Sequence, residues 1–184
     1  EKNDKVKIQI TGGEPLLEIP LIKKIAEYSA DRVEEINLQT NGTLITDEVA
    51  RLLVDSCIGV SVSLDGVLEV NDRTRTYMDG SSSFGDVLRG IRSLKKAGVM
   101  TQINAVVSSS NAQKIHELLD LALHEENIRG LSLDLLRPIG LGMEEMKAGP
   151  LEVEAMMEAL IEKWNFFRRV KIPIEVKDIS KMLY

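Results

Sequence analysis

Five strand-sized apolar runs alternate with helix-length amphipathic segments along the 184 residues, and this alternation constrains the fold more than any other feature. Residues 6–10 (VKIQI), 33–39 (VEEINLQ), 57–64 (CIGVSVSL), 100–107 and 131–136 read as strands. The first helix opens at Pro15 or Pro20, both suited to a first helical position, and runs to about residue 30. Its apolar stripe is Leu21, Ile22, Ile25 and Ala26. Thr46 caps a second helix, with Asp47 and Glu48 in its first turn. Phe84, Val87, Leu88, Ile91 and Leu94 mark a third, which stops at Gly98. A fourth spans 112–124. Val153, Met156, Leu160, Trp164 and Phe167 lie on one face of a last, long helix, with a short strand expected at 171–176. Strands that alternate with helices form a parallel sheet with right-handed crossovers. Eight such units close a barrel of about 250 residues. This chain holds fewer, so an α/β fold built as a partial parallel (β/α) barrel, or an open sheet, is expected.

Charge and cysteine content exclude several functions. The formal net charge is -6, against the basic face of a general nucleic-acid binder and against attraction to anionic membrane. No apolar run approaches the length of a membrane span. A single cysteine, Cys57, excludes an intramolecular disulfide and an all-cysteine metal site within this chain, and agrees with a reducing, cytoplasmic setting. Cys57 itself reads as a small buried residue at the start of a strand. The chain opens on Glu1 without a leader pattern, so it reads as a piece of a longer protein. Pro138 to Gly142 is the candidate boundary between a βα core, 5–142, and a helical extension with a final strand, 143–184.

Ligands of parallel α/β sheets sit at the C-terminal ends of the strands. Polar residues and glycines collect there: Thr11-Gly12-Gly13-Glu14-Pro15 after the first strand, Thr40-Asn41-Gly42 after the second, and Ser63-Leu64-Asp65-Gly66 after the third. Two consecutive glycines leave backbone groups open to a ligand. Glu14 could pair with an ammonium group, or could serve only as an acid at a helix start. An ionisable loop, Asn71-Asp72-Arg73-Thr74-Arg75, follows the third strand.

In this order the segments ITGGEPLL (10–17), LQTNGTL (38–44), VSLDG (62–66) with NDRTR (71–75), and SFGDV (83–87) resemble the radical S-adenosylmethionine (SAM) superfamily. They are similar to its branch with SPASM or twitch extensions, which includes sulfatase maturases, peptide-modifying enzymes and haem-pathway enzymes. The resemblance covers about residues 5 to 142. It implies a (β/α) barrel core that lacks its first βα unit, and SAM as a cofactor. It also implies a [4Fe–4S] cluster in the intact parent, whose CxxxCxxC loop would lie upstream of Glu1. By this resemblance Gly12, Gly13 and Glu14 hold the SAM ammonium, and Arg75 pairs with the carboxylate. Ser63 bonds the same group or the ribose, and Asn41 lies on the ribose side. The backbone of Leu136 to Gly140 would approach the adenine edge. No metal ligand and no catalytic acid or base is assigned.

The implied activity is reductive cleavage of SAM to a 5′-deoxyadenosyl radical that abstracts a substrate hydrogen. Peptide maturation or cofactor biosynthesis is the expected process, and a peptide or small molecule the expected substrate. The fragment alone is expected to be inactive. The rival readings are a non-catalytic binding or scaffold relative lacking the cluster and an unrelated α/β-barrel enzyme with a small-molecule substrate. Asp65 and Asp72 read as turn residues. The open edge at residues 6–10 is expected to recruit another strand, by self-association or from the chain's own terminus.

Overall fold

A computed structural model describes residues 6–137 and 146–177. Six parallel strands lie in sequence order: β1 (Val6–Ile10), β2 (Val33–Thr40), β3 (Ile58–Ser63), β4 (Thr101–Val107), β5 (Ile128–Leu135) and β6 (Glu175–Val176). Six helices accompany them: α1 (Ile19–Ser29), α2 (Asp47–Asp55), the single turn α3 (Leu68–Asn71), α4 (Phe84–Lys96), α5 (Glu117–Glu125) and α6 (Pro150–Arg169). Short 3-10 turns at Pro15–Glu18 and Ala112–Lys114 precede α1 and α5. A doubly wound sheet reverses its strand order and carries helices on both faces. Sequential order with crossovers of one hand instead places the helices on one side, as in a barrel wall.

Burial follows that rule. β4 alternates buried Thr101, Ile103, Ala105 and Val107 with half-buried Gln102, Asn104 and Val106. The buried set faces the helices. Ile36, Leu38, Val60, Val62 and Ile103 join Ile22, Leu53, Ile91, Leu94, Leu119, Leu160 and Phe167 in one core. Beyond residue 145, α6 and β6 continue the same core and sheet, with Val176 paired to Leu131. The boundary expected at 138–142 lies outside the described residues. Among those described, no helix is long and apolar enough to cross a membrane.

Several elements differ from expectation for local reasons. Cys57 is exposed, not buried. It sits one residue before β3 in the left-handed region, φ 52°, and its N–H donates to the Val54 carbonyl at 2.9 Å, so it closes the turn that ends α2. α1 buries Ile22, Ala26 and Ser29, and Leu21, one step off that row, is exposed. β5 begins at Ile128, three residues before the expected start. Gly130 weakens the strand signal, yet its missing Cβ makes room for the Gln102 side chain of β4. The final strand shrinks to two residues because Pro173 offers no N–H to a ladder.

Candidate functional site

The strand ends hold two hydrogen-bonded groups, each built across neighbouring strands. The first centres on Glu14, where the chain leaves β1. Its Oε1 accepts from Leu16 N at 3.0 Å and from Thr40 Oγ1 at 2.7 Å, and its Oε2 accepts from Asn41 N at 2.8 Å. Glu14 therefore caps the 3-10 turn that Pro15 opens and ties the end of β1 to the end of β2. A carboxylate has about four acceptor positions. Three are used, and the position left over is on Oε2. Thr40 Oγ1 also accepts from Gly42 N at 3.0 Å, and Asn41 Oδ1 accepts from both the N–H and the hydroxyl of Thr43. Asn41 thus stiffens its own turn, which does not use its Nδ2.

Gly12 and Gly13 are exposed beside this carboxylate. Gly12 has φ +149°, a conformation that a side chain resists, and a Cβ at either glycine would meet nothing within 4 Å. The backbone there is open to a ligand.

The second group centres on Asp65, just past β3. Its side chain is 6% exposed and takes a forked ion pair from Arg75: Nε to Oδ2 at 2.6 Å and Nη2 to Oδ1 at 3.1 Å. Val106 N donates to Oδ1 at 2.8 Å and Thr74 Oγ1 to Oδ2 at 3.1 Å. Asn111 Nδ2 donates to the Asp65 and Val106 carbonyls, and Asn71 Oδ1 accepts from Asp65 N. The loop 71–76 is thereby fastened to β3 and β4. Ser63, the last residue of β3, is buried two residues before Asp65 and in register with Asn104.

The sequence placed Gly12, Gly13, Glu14, Asn41, Ser63 and Arg75 at strand ends and in the following loop; the structure holds Glu14 and Asn41 in the first group and Arg75 in the second, with Gly12 and Gly13 adjoining Glu14 in the chain and Ser63 buried at the end of β3. It assigns more to Thr40 and Asp65 than their sequence context did. The residues not anticipated are those of the concave face. Gln9, Asn37, Gln39, Ser61, Gln102, Asn104 and Ser132 line a cleft of about 310 Å³ together with Ile8, Lys177 and the Lys7–Glu35 ion pair. Asn37 Oδ1 accepts from Ser61 Oγ at 3.1 Å and from Gln9 Nε2 at 3.5 Å. A (β/α)₈ barrel interior is ordinarily filled by Val, Ile and Leu. Here it is polar and open, with charged Lys7, Glu35 and Lys177 in its lining. The signal was available: strands buried on both faces are apolar throughout, whereas these alternate polar and apolar residues.

Residues 1–122 match the Radical SAM superfamily, and the chain belongs to it. Among its relatives, the AdoMet-dependent heme synthase of Methanosarcina barkeri is 35% identical over 155 residues, covering 83% of this chain and 43% of that protein. The mycofactocin maturase MftC of Mycobacterium ulcerans is 32% identical over 162 residues, covering 85% and 42%. The solved structure of native anSMEcpe with bound AdoMet and Cp18Cys peptide superposes with a TM-score of 0.85 at 23% identity, over 98% of this chain and 52% of that one. The chain spans less than half the length of the curated relatives it matches. Membership sets aside the reading as an unrelated barrel enzyme. The fold is that of a radical SAM core.

The family uses SAM and a [4Fe–4S] cluster. The first fits this chain: an open glycine backbone and a carboxylate with one acceptor position to spare suit an α-ammonium, and a guanidinium nearby along the strand ends suits an α-carboxylate. The cluster does not. Fe–S ligation needs several thiolates, and Cys57 lies at the N-terminal end of β3, a strand length of roughly 20 Å from the strand ends. Among the described residues, no group of three or more His, Cys, Asp or Glu could hold a metal ion.

Proposed function

We propose that this chain is the SAM-orienting core of a radical SAM enzyme. One observation carries the reading: Glu14 Oε2 keeps an acceptor position unused, and the adjoining Gly12–Gly13 backbone is exposed, where the chain leaves the C-terminal end of β1. Gly12, Gly13 and Glu14 hold the α-ammonium, Arg75 the α-carboxylate, and Ser63 the carboxylate or ribose, with Asn41 on the ribose side. SAM supplies the family's chemistry, hydrogen-atom abstraction by its 5′-deoxyadenosyl group. The residues of this chain fix the orientation of SAM and keep water from it. The one cysteine of this sequence cannot supply the cluster's thiolates.

The concave face favours peptide maturation over tetrapyrrole chemistry. The amides and hydroxyls of this face pair with a peptide backbone, whereas a tetrapyrrole presents broad apolar faces. Among the described residues, the cleft lining includes no aromatic side chain to stack on such faces.

The test is to treat the intact protein anaerobically with iron and sulfide, incubate it with SAM and dithionite, and count 5′-deoxyadenosine by chromatography. Its formation supports an enzyme. Bound SAM without 5′-deoxyadenosine supports the scaffold reading instead.

A further inference from the structure

We infer that Asp65 is a positioning residue that selects for the carboxylate of the ligand by fixing the Arg75 guanidinium, an inference that rests on the assignment of Arg75 above. Asp65 itself is closed to a ligand. All four acceptor positions of its carboxylate are filled: Oδ1 by Arg75 Nη2 and Val106 N, Oδ2 by Arg75 Nε and Thr74 Oγ1. It has no position left to take a proton from substrate or to bind an ammonium. Its side chain is nearly inaccessible, so the charge is retained there for the guanidinium and the backbone of β4.

A fork fixes direction as well as charge. Of the five N–H donors of arginine, Asp65 takes two on the Nε–Nη2 edge, and the others lie on the opposite part of the plane. Arg75 keeps 29% of its side-chain surface exposed, and no partner among the described residues takes its Nη1. Asp65 is itself anchored by Val106 N, Asn71 Oδ1 and, through its carbonyl, Asn111 Nδ2. The guanidinium is therefore held on the frame of β3 and β4 although its own backbone lies in a loop. A preorganised donor loses less freedom when a carboxylate arrives than a free loop arginine does. Without Asp65, residue 75 would keep its charge and lose its aim.

The experiment compares SAM with decarboxylated SAM, which lacks the carboxylate, in calorimetric titrations of the intact cluster-replete protein. In Asp65→Asn the affinity for SAM should fall about tenfold, the lower end of what one charge-assisted hydrogen bond contributes. The affinity for decarboxylated SAM should hold, so the ratio between the two ligands contracts. Equal losses for both ligands would mean that Asp65 only supports the fold, and would overturn the inference. An unchanged ratio in Asp65→Asn, with the ratio lost in Arg75→Gln, would overturn positioning while leaving the Arg75 assignment intact. An unchanged ratio in Arg75→Gln would overturn that assignment and the inference with it. Should Asp65→Asn fail to fold, Arg75→Lys carries the test, because it keeps the charge without the fork. The inference expects Arg75→Lys to contract the ratio about tenfold as well, and a preserved ratio there contradicts it.

Discussion

Gly90 of α4 lies directly against the carbonyl oxygen of Gly42, so that a Cβ at position 90 would overlap that oxygen and press on Ile45. The contact joins the helix after β3 to the turn whose Asn41 N–H donates to Glu14. Helix packing and the site are thus set by the same approach of backbone to backbone.

Gly90→Ala should therefore do more than overpack the core. We expect a loss of about 1–3 kcal/mol, as for other insertions into packed interiors, measured by urea denaturation. In the intact protein, SAM affinity should fall with it, because the turn at Asn41 must shift. A destabilised variant with wild-type SAM affinity would separate the turn from the site.

Thr40 is 2% exposed, and its hydroxyl both donates to Glu14 and accepts from Gly42 N. Thr40→Val preserves the shape and leaves both partners without it. The expected cost is about 1–3 kcal/mol, read from the shift in melting temperature. The charge of Glu14 is untouched, so SAM affinity should change far less than in Glu14→Gln.

Asp47 clamps the start of α2 to α4, accepting from Ser93 Oγ at 2.6 Å and from Lys96 Nζ at 3.3 Å. The Ser93 hydrogen bond first, and then Lys96, hold its carboxyl below the usual carboxylate range. A depressed folded pKa means stabilisation that is fully present above the unfolded value and lost as pH falls through the folded one. Melting temperature should thus decline on the acid side, below the ordinary carboxylate range. In Asp47→Asn the neutral-pH value should be lower and the acid decline shallower. Parallel curves for the two proteins would contradict the clamp.

The 184-residue chain by itself should not assemble a stoichiometric [4Fe–4S] cluster, because its one cysteine is at the wrong end of the sheet. Anaerobic reconstitution with iron and sulfide, followed by absorption spectroscopy and iron counting, checks this. A full complement of four irons per monomer would overturn it.

Most of the fold was legible because strand and helix periods differ and their caps are local. Thr46 accepts from Val49 N as its position predicts, and Gly98 ends α4 at φ +78°. Legibility failed where a neighbour in space decides the outcome. Gly130 resembles a strand breaker until Gln102 is seen lying over it, and Cys57 resembles a strand residue until the Val54 turn is seen. The site divides in the same way. Gly12, Gly13 and Glu14 are adjacent in sequence and form a recognisable motif. Asp65 and Arg75 are ten residues apart, and only the folded loop shows that one carboxylate absorbs half the guanidinium fork.

The central claim is that Glu14 serves a ligand as well as its own turn, and SAM titration of Glu14→Gln tests it most directly. The intact, cluster-replete wild type and variant would be titrated by calorimetry, with iron counted in each and Thr40→Val as the control for a loosened turn. A charge-assisted hydrogen bond contributes about 1.5–3 kcal/mol, so the variant should bind SAM about ten- to a hundredfold more weakly at unchanged iron content. Unchanged SAM affinity in a folded, cluster-replete Glu14→Gln protein would contradict the account and leave Glu14 as the cap of its own 3-10 turn.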